Sequence, residues 1–324
     1  MLQDIPTHVI AGPLGSGKTS LIRHLLEQRP AGERWAVLVN EFGQVGLDAA
    51  LLSRDEVGIA IGEVAGGCLC CVNGAPFQVG LGRLLRKARP DRLFIEPSGL
   101  GHPLELLEQL GRPPWTGVLS VQPLLMVLDA AALSRGGVLP EAQHQALAKA
   151  GMLVFNKASV VDEAERLLIT ASLPAIPSCW TDHGVLPLAV LPVSTPVAVG
   201  TLDLGSLPVD NGAVPLPTLW TDPRQPICQF QQGEGGWSVG WRWHPDQCLD
   251  NAVLRGVLEQ WVWRRAKGVI HSTEGWQSFN GLEGGTLEWR SSEWRKDSRI
   301  ELIFDRPQPL QALQAAIGGC QLIR

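Results

Sequence analysis

Gly12-Pro13-Leu14-Gly15-Ser16-Gly17-Lys18-Thr19 follows the pattern G-x-x-x-x-G-K-[ST]. It lies between an apolar run, THVIA, and the amphipathic stretch TSLIRHLL, so the pattern falls where a strand turns into a helix. Glycines at this spacing let backbone N–H groups curl around phosphate oxygens, and the helix N-terminus adds partial positive charge. Lys18 is then in register for the β- and γ-phosphates and Thr19 for a Mg²⁺ ion, with Ser16 and Ser20 beside them. The competing reading is a glycine-rich turn with no ligand; Lys and Thr both in register, in the right context, argue against it.

Two further segments fit the same chemistry. Leu93-Phe94-Ile95-Glu96-Pro97-Ser98-Gly99 is an apolar run that ends in a carboxylate and then a glycine. Alone it reads as a surface acid at a strand end. Following a phosphate loop, it places Glu96 to complete a Mg²⁺ shell or orient an attacking water, and the Gly99 N–H to sense a γ-phosphate. Asn156-Lys157 closes the run GMLVFN, where a base-reading loop belongs. In an N-K-x-D loop the Asp carboxylate accepts two hydrogen bonds from guanine, and here that position is Ser159. A hydroxyl accepts less well and also donates, so the sequence predicts weakened discrimination against adenine. Asp162 would substitute only if the loop were rearranged.

Three of the seven cysteines crowd into Gly66-Gly67-Cys68-Leu69-Cys70-Cys71, just before the turn signal Asn73-Gly74. In an extended segment Cys68 and Cys70 share a face and Cys71 points the other way, so all three ligate one ion only if the backbone turns at 70–71. Thiolates favour Zn²⁺ or Cu(I), and a tetrahedral site needs one more ligand from elsewhere. Buried structural thiols or a redox pair are the alternatives. Cys179, Cys228, Cys248 and Cys320 stand alone and read as structural. An odd count with three clustered residues does not describe a secreted disulfide framework, and a reducing, cytoplasmic setting fits better.

These segments need a scaffold, and the rest of the chain supplies its pattern. Apolar runs at 7–11, 35–40, 59–65, 92–96, 124–130 and 151–156 alternate with helical patterns at 18–28, 76–88, 103–110, 141–149 and 162–172. The runs are too apolar to have a wet face. They predict an α/β fold, a P-loop NTPase parallel sheet with helices on both faces. Nine of the 12 Trp lie beyond residue 219, and from Trp220 onward acids and bases balance, so the net charge of -5 belongs to the first part. A Pro-rich, charge-poor stretch separates the two compositions. The expected organisation is a first domain over 1–207, a linker over 208–225 and a smaller α+β domain over 226–324. In the latter, a helix is expected at 246–260, then strand candidates WVWRRAKGVIHS, WQSFNG, TLEWRS and RIELIF, and a helix at 309–317, forming an antiparallel sheet. Trp241, Trp243, Trp261 and Trp263 alternate at strand spacing and read as core residues or, alternatively, as an exposed docking patch.

With 18% charged and 45% hydrophobic residues, the 324-residue chain is neither disordered nor a coiled coil. The even charge balance gives no reason to expect nucleic acid or an anionic membrane as partner, and the run Arg264-Arg265-Ala266-Lys267 is too short to change that. The opening residues form no leader pattern, and no run of 18 apolar residues occurs.

On GPLGSGKT (12–19), NEFGQVGLD (40–48), GGCLCC (66–71), IEPSGL (95–100), FNKAS (155–159) and RRAKG (264–268), the sequence resembles the CobW family of P-loop GTPases, relatives of the nickel-insertion GTPases of hydrogenase and urease maturation. The resemblance spans nearly the whole chain. It implies a GTP- and Mg²⁺-binding domain whose C-x-C-C motif holds a transition metal, zinc or cobalt, and a CobW-type C-terminal domain that meets a client metalloprotein. The implied activity is that of a metallochaperone with slow GTP hydrolysis as its switch, acting as a monomer or homodimer. By position, 40–48 is the first switch region, with Glu41 a metal ligand and Asp48 a catalytic acid, and Asn156-Lys157 is the guanine loop. Gln44 departs from the family's N-E-F-G-E and removes a carboxylate, which leaves Glu41 to serve the metal. The His-rich stretch of some members is also absent, since His8, His24, His102, His144, His183, His244 and His271 are scattered. Two other classes compete: a small-molecule P-loop kinase, for which no acceptor site is marked, and a nucleotide-binding interaction protein with little or no hydrolysis.

Overall fold

The computed structural model describes residues 2–40, 58–64, 75–99, 101–194, 220, 222–233, 236–283 and 286–322, which form two compact units. The first holds eight strands in one sheet: β1 (Ile5–Ala11), β2 (Trp35–Asn40), β3 (Ile59–Val64), β4 (Arg92–Glu96), β5 (Leu119–Val121), β6 (Leu124–Asp129), β7 (Ala150–Asn156) and β8 (Ser178–Trp180). Their order is β3-β2-β4-β1-β6-β7-β8, with β5 beside the start of β1, and every pairing is parallel. Val9, Ile10 and Ala11 of β1, Leu93, Phe94 and Ile95 of β4, and Leu125 to Leu128 of β6 are all fully buried. A strand with no wet side is what a sheet covered on both faces produces.

Helices α1 (Lys18–Glu27), α2 (Ala75–Ala88), α3 (Pro103–Leu110), α4 (Ala130–Ser134), α5 (Glu141–Ala146) and α6 (Glu163–Ala171) belong to this unit. Leu21, Ile22, Leu25 and Leu26 of α1 are buried, the i, i+1, i+4, i+5 stripe of a helix lying on a sheet. Because β1 is flanked by β4 on one side and β6 on the other, the direction of winding reverses at β1, which opens a crevice at its carboxyl end. Residues 12–19 occupy that end. Two strands escaped the sequence pattern, β5 and β8, each of three residues and too short to show a period.

In the second unit β9 (Ile227–Gly233), β10 (Gly236–Trp243), β11 (Arg265–Ser272), β12 (Gly275–Leu282), β13 (Glu288–Ser291) and β14 (Ser298–Phe304) form an antiparallel sheet in the order β13-β12-β11-β14-β10-β9. Two helices, α7 (Asn251–Glu259) and α8 (Leu310–Gly318), complete it. The sequence pattern marks no strand at β9 and marks β10 only by the spacing of Trp241 and Trp243, and the helix expected at 246–260 begins only at Asn251, where the Asp250 carboxylate caps the Val253 N–H. Trp237, Trp241 and Trp243 stand on one face of β10 and pack with Leu254 and Leu258 of α7 and Leu313 and Ile317 of α8. Trp263 is buried and Trp261 partly so, which makes the alternating tryptophans core residues rather than a docking patch.

The basic run before and within β11 is largely internal. Arg265 and Lys267 are buried, and Lys267 Nζ lies 3.2 Å from Glu301 Oε2, its cross-strand neighbour on β14. Burial pulls the Lys267 ammonium below its ordinary range, and Glu301 partly restores it.

Candidate nucleotide site

The loop from Gly12 to Thr19 joins β1 to α1 with Gly12, Gly15 and Gly17 at φ values of 143°, 76° and 103°. Such angles need glycine, and at Gly17 a Cβ would also collide with the Asn156 side chain. The Lys18 ammonium folds back over the loop and donates to Gly12 O and Pro13 O, each at 3.0 Å. It is only 5% exposed. Ser16 Oγ is buried with no hydrogen-bond partner among the described residues, an orphan of the kind a bound oxyanion satisfies.

Glu96 comes from the end of β4, beside β1, and is 3% exposed. The Thr19 hydroxyl stands 2.9 Å from its Oε1 and 3.1 Å from its Oε2. A hydroxyl and a carboxylate, both hard oxygen donors, meeting at the mouth of a phosphate loop suit Mg²⁺. The chain then turns through Gly99, where a Cβ would stand 2.6 Å from Leu14 N and 3.0 Å from Lys18 Nζ. Only glycine lets this segment lie against the phosphate loop. Gln143 of α5, not anticipated from the sequence, secures the segment from behind by donating to Gly101 O at 3.1 Å and more weakly to Gly99 O at 3.5 Å.

Asn156 ends β7, and its amide links three loops. Nδ2 donates to Ser16 O at 2.8 Å, and Oδ1 accepts from Gly184 N at 3.0 Å. Lys157 adopts a left-handed conformation and pairs with Asp129 at the end of β6, at 2.5 Å. Asp162 does not take the place of a base-reading carboxylate. Its Oδ1 accepts from Glu165 N while Glu165 returns a bond to Asp162 N, a capping box at the start of α6. The carboxylate at Ser159 belongs instead to Asp182, whose Oδ1 accepts from Ser159 N at 3.1 Å.

Of the residues singled out from the sequence, Gly12, Gly15, Ser16, Gly17, Lys18, Thr19, Glu96, Gly99, Asn156 and Lys157 line or border this site, and Ser20 follows in the first turn of α1. Cys68, Cys70, Cys71, Glu41, Asp48 and Gln44 lie outside the described residues. Among the described residues no group of three His, Cys, Asp or Glu side chains is placed to hold a metal ion. Burial raises the thiols of Cys179, Cys228 and Cys320, the last to about 11, so none of these three offers a thiolate at neutral pH. Buried His8 is held neutral, its pKa pulled down to about 3 by desolvation and then by Arg92. No helix among the described residues is long and apolar enough to cross a membrane.

A glycine loop holding a buried lysine, a strand-end carboxylate on the loop threonine, and an Asn-Lys loop tied to both define a P-loop nucleotide-binding protein. Residues 6–173 match the family described as CobW/HypB/UreG, nucleotide-binding domain, and the chain belongs to that family. It is 36% identical over 331 residues to the zinc chaperone YeiR of Escherichia coli, an alignment covering 96% of each chain. It is 32% identical over 226 residues to the zinc chaperone CobW of Pseudomonas aeruginosa, covering 59% of this chain and 60% of that protein. Among solved structures it is similar to the Zn(II)-bound YjiA GTPase of Escherichia coli, at 20% identity and a TM-score of 0.40 over 98% of this chain and 99% of that one. The family expected from the motifs is the family found.

Proposed function

We propose that this protein is a GTPase that carries zinc to a client metalloprotein, with the state of the nucleotide as the switch. The observation that carries the nucleotide half is the Thr19 hydroxyl bonded to both oxygens of buried Glu96 at the mouth of the phosphate loop. Thr19 and Glu96 would hold Mg²⁺, which, when bound, neutralises charge on the β- and γ-phosphate oxygens. Lys18 receives the phosphates. The Gly99 N–H, in the segment that follows Glu96, would sense whether a γ-phosphate is present. Glu96→Gln is therefore expected to lower GTP turnover roughly a hundredfold or more and to weaken Mg²⁺-dependent nucleotide binding, with Mg²⁺-free GDP binding changed far less. Phosphate release and fluorescent-nucleotide titration measure the two separately, and undiminished turnover would remove Glu96 from the chemistry.

The zinc half is supported by the two relatives named zinc chaperones and by the donor set. Cys68, Cys70 and Cys71 supply thiolates and Glu41 a carboxylate, four donors of a kind that zinc takes tetrahedrally. These ligands follow β2 and β3 and precede Glu96 in the chain, the stretch through which a nucleotide-dependent switch would act on the metal. Zinc titration against a competing chelator is expected to show a tight site of one ion per chain, its affinity different with GDP and with a non-hydrolysable GTP analogue. Replacing all three cysteines by serine should abolish that site. An unchanged affinity in the triple variant would sink the cargo assignment.

A further inference from the structure

We infer that Asp182 is the carboxylate that selects guanine, so that the base-reading acid has moved from the loop after β7 to the loop after β8. The inference rests on the reading of the site as one for guanine nucleotides.

The two loops are joined at the carboxyl edge of the sheet, the edge from which such sheets bind nucleotides. Thr181 N donates to Phe155 O at 2.9 Å, and Ala158 N donates to Thr181 O at 3.1 Å. The next contact in that series is Ser159 N to Asp182 Oδ1. The Asp182 carboxylate therefore reaches the residue that occupies the acid position of an N-K-x-D loop. Its own loop is fixed at the following turn, where Gly184, at φ 73°, bonds Asn156 Oδ1 and approaches α1 so closely that a Cβ would come within 2.5 Å of Leu21 N.

The other nearby acids are already committed. Asp162 caps α6. Asp129 accepts from Ala132 N at 2.9 Å through Oδ1 and pairs with Lys157 through Oδ2. Asp182 is half-buried, and its Oδ2 accepts no hydrogen bond among the described residues. Guanine presents N1–H and the exocyclic N2 amine side by side, two donors that a carboxylate with spare lone pairs accepts together. Adenine presents an acceptor at N1 and cannot make this pairing. Ser159 supplies the backbone N–H that orients Asp182 rather than the reading group itself.

The test compares GDP, ADP and xanthosine diphosphate binding to the full chain and to Asp182→Ala, Asp182→Asn and Asp182→Ala/Ser159→Asp. The wild type is expected to prefer GDP over ADP. Asp182→Ala should lower GDP affinity roughly ten- to hundredfold with ADP little changed, the loss expected for a charged acceptor. Asp182→Asn should lose GDP and gain xanthosine diphosphate, because an amide donates to the C2 carbonyl that xanthine carries. The double variant should recover part of the GDP preference. A merely structural Asp182 would lower all three nucleotides equally and gain none, and that result overturns the proposal, as does a GDP preference that survives Asp182→Asn. Equal binding of GDP and ADP by the wild type overturns it while leaving the phosphate site intact. A wild type that binds none of the three overturns the nucleotide reading beneath it.

Discussion

Lys18→Ala is expected to lower guanine-nucleotide affinity roughly a hundredfold or more and to leave no measurable GTP turnover, because the ammonium makes charge-assisted contacts that no neighbour can replace. The lysine is buried, and its Nζ sits on the carbonyls of Gly12 and Pro13, so the positive charge is already aimed into the loop that receives phosphate. Lys18→Arg is not expected to rescue binding. A planar guanidinium cannot occupy the space that a compact ammonium fills between two carbonyls 3.0 Å away. The fold should survive, since α1 is fastened by Leu21, Ile22, Leu25 and Leu26 rather than by Lys18. Fluorescent-nucleotide titration with phosphate release checks the outcome, and binding within a few-fold of wild type would show that the loop is not the phosphate site.

Lys267→Met should destabilise the second unit by about 3–5 kcal/mol, since it removes the ammonium that lies against the buried Glu301 carboxylate in an interior strand. Both partners are nearly inaccessible, and Ser238 Oγ reaches Glu301 Oε1 only at 3.5 Å. The informative comparison is Lys267→Met/Glu301→Leu, which removes both charges and is expected to regain most of the lost stability. Tryptophan fluorescence during urea unfolding reads this unit selectively, because nine of the 12 tryptophans lie beyond residue 219. If the single variant unfolded at the wild-type midpoint, the ion pair would have no structural role.

Most of the first unit is legible in the sequence for one reason. Strands β1, β2, β4, β6 and β7 are buried on both faces, so their apolar runs need no interpretation of phase. Strand β8 is three residues among prolines, and what identifies it is its pairing with Leu153, Val154 and Phe155 of β7 rather than any pattern of its own. Strand β9 alternates weakly because it lies at a sheet edge and leaves Phe230 half exposed. The same division runs through the site. Lys18, Thr19, Glu96 and Asn156 belong to local motifs. Gln143 and Asp182 reach the loops they serve from 42 and 23 residues away, so only the fold assembles those contacts. Asp162 is the instructive case, because Asp162-x-x-Glu165 ahead of a helical pattern is a capping-box signature and could have been assigned to α6 from the sequence.

One side chain, Asn156, spans Ser16 O and Gly184 N, and in the proposed site it therefore ties the phosphate loop to the loop assigned to the base. Loss of that one amide would release the loop after β1 and the loop after β8 together.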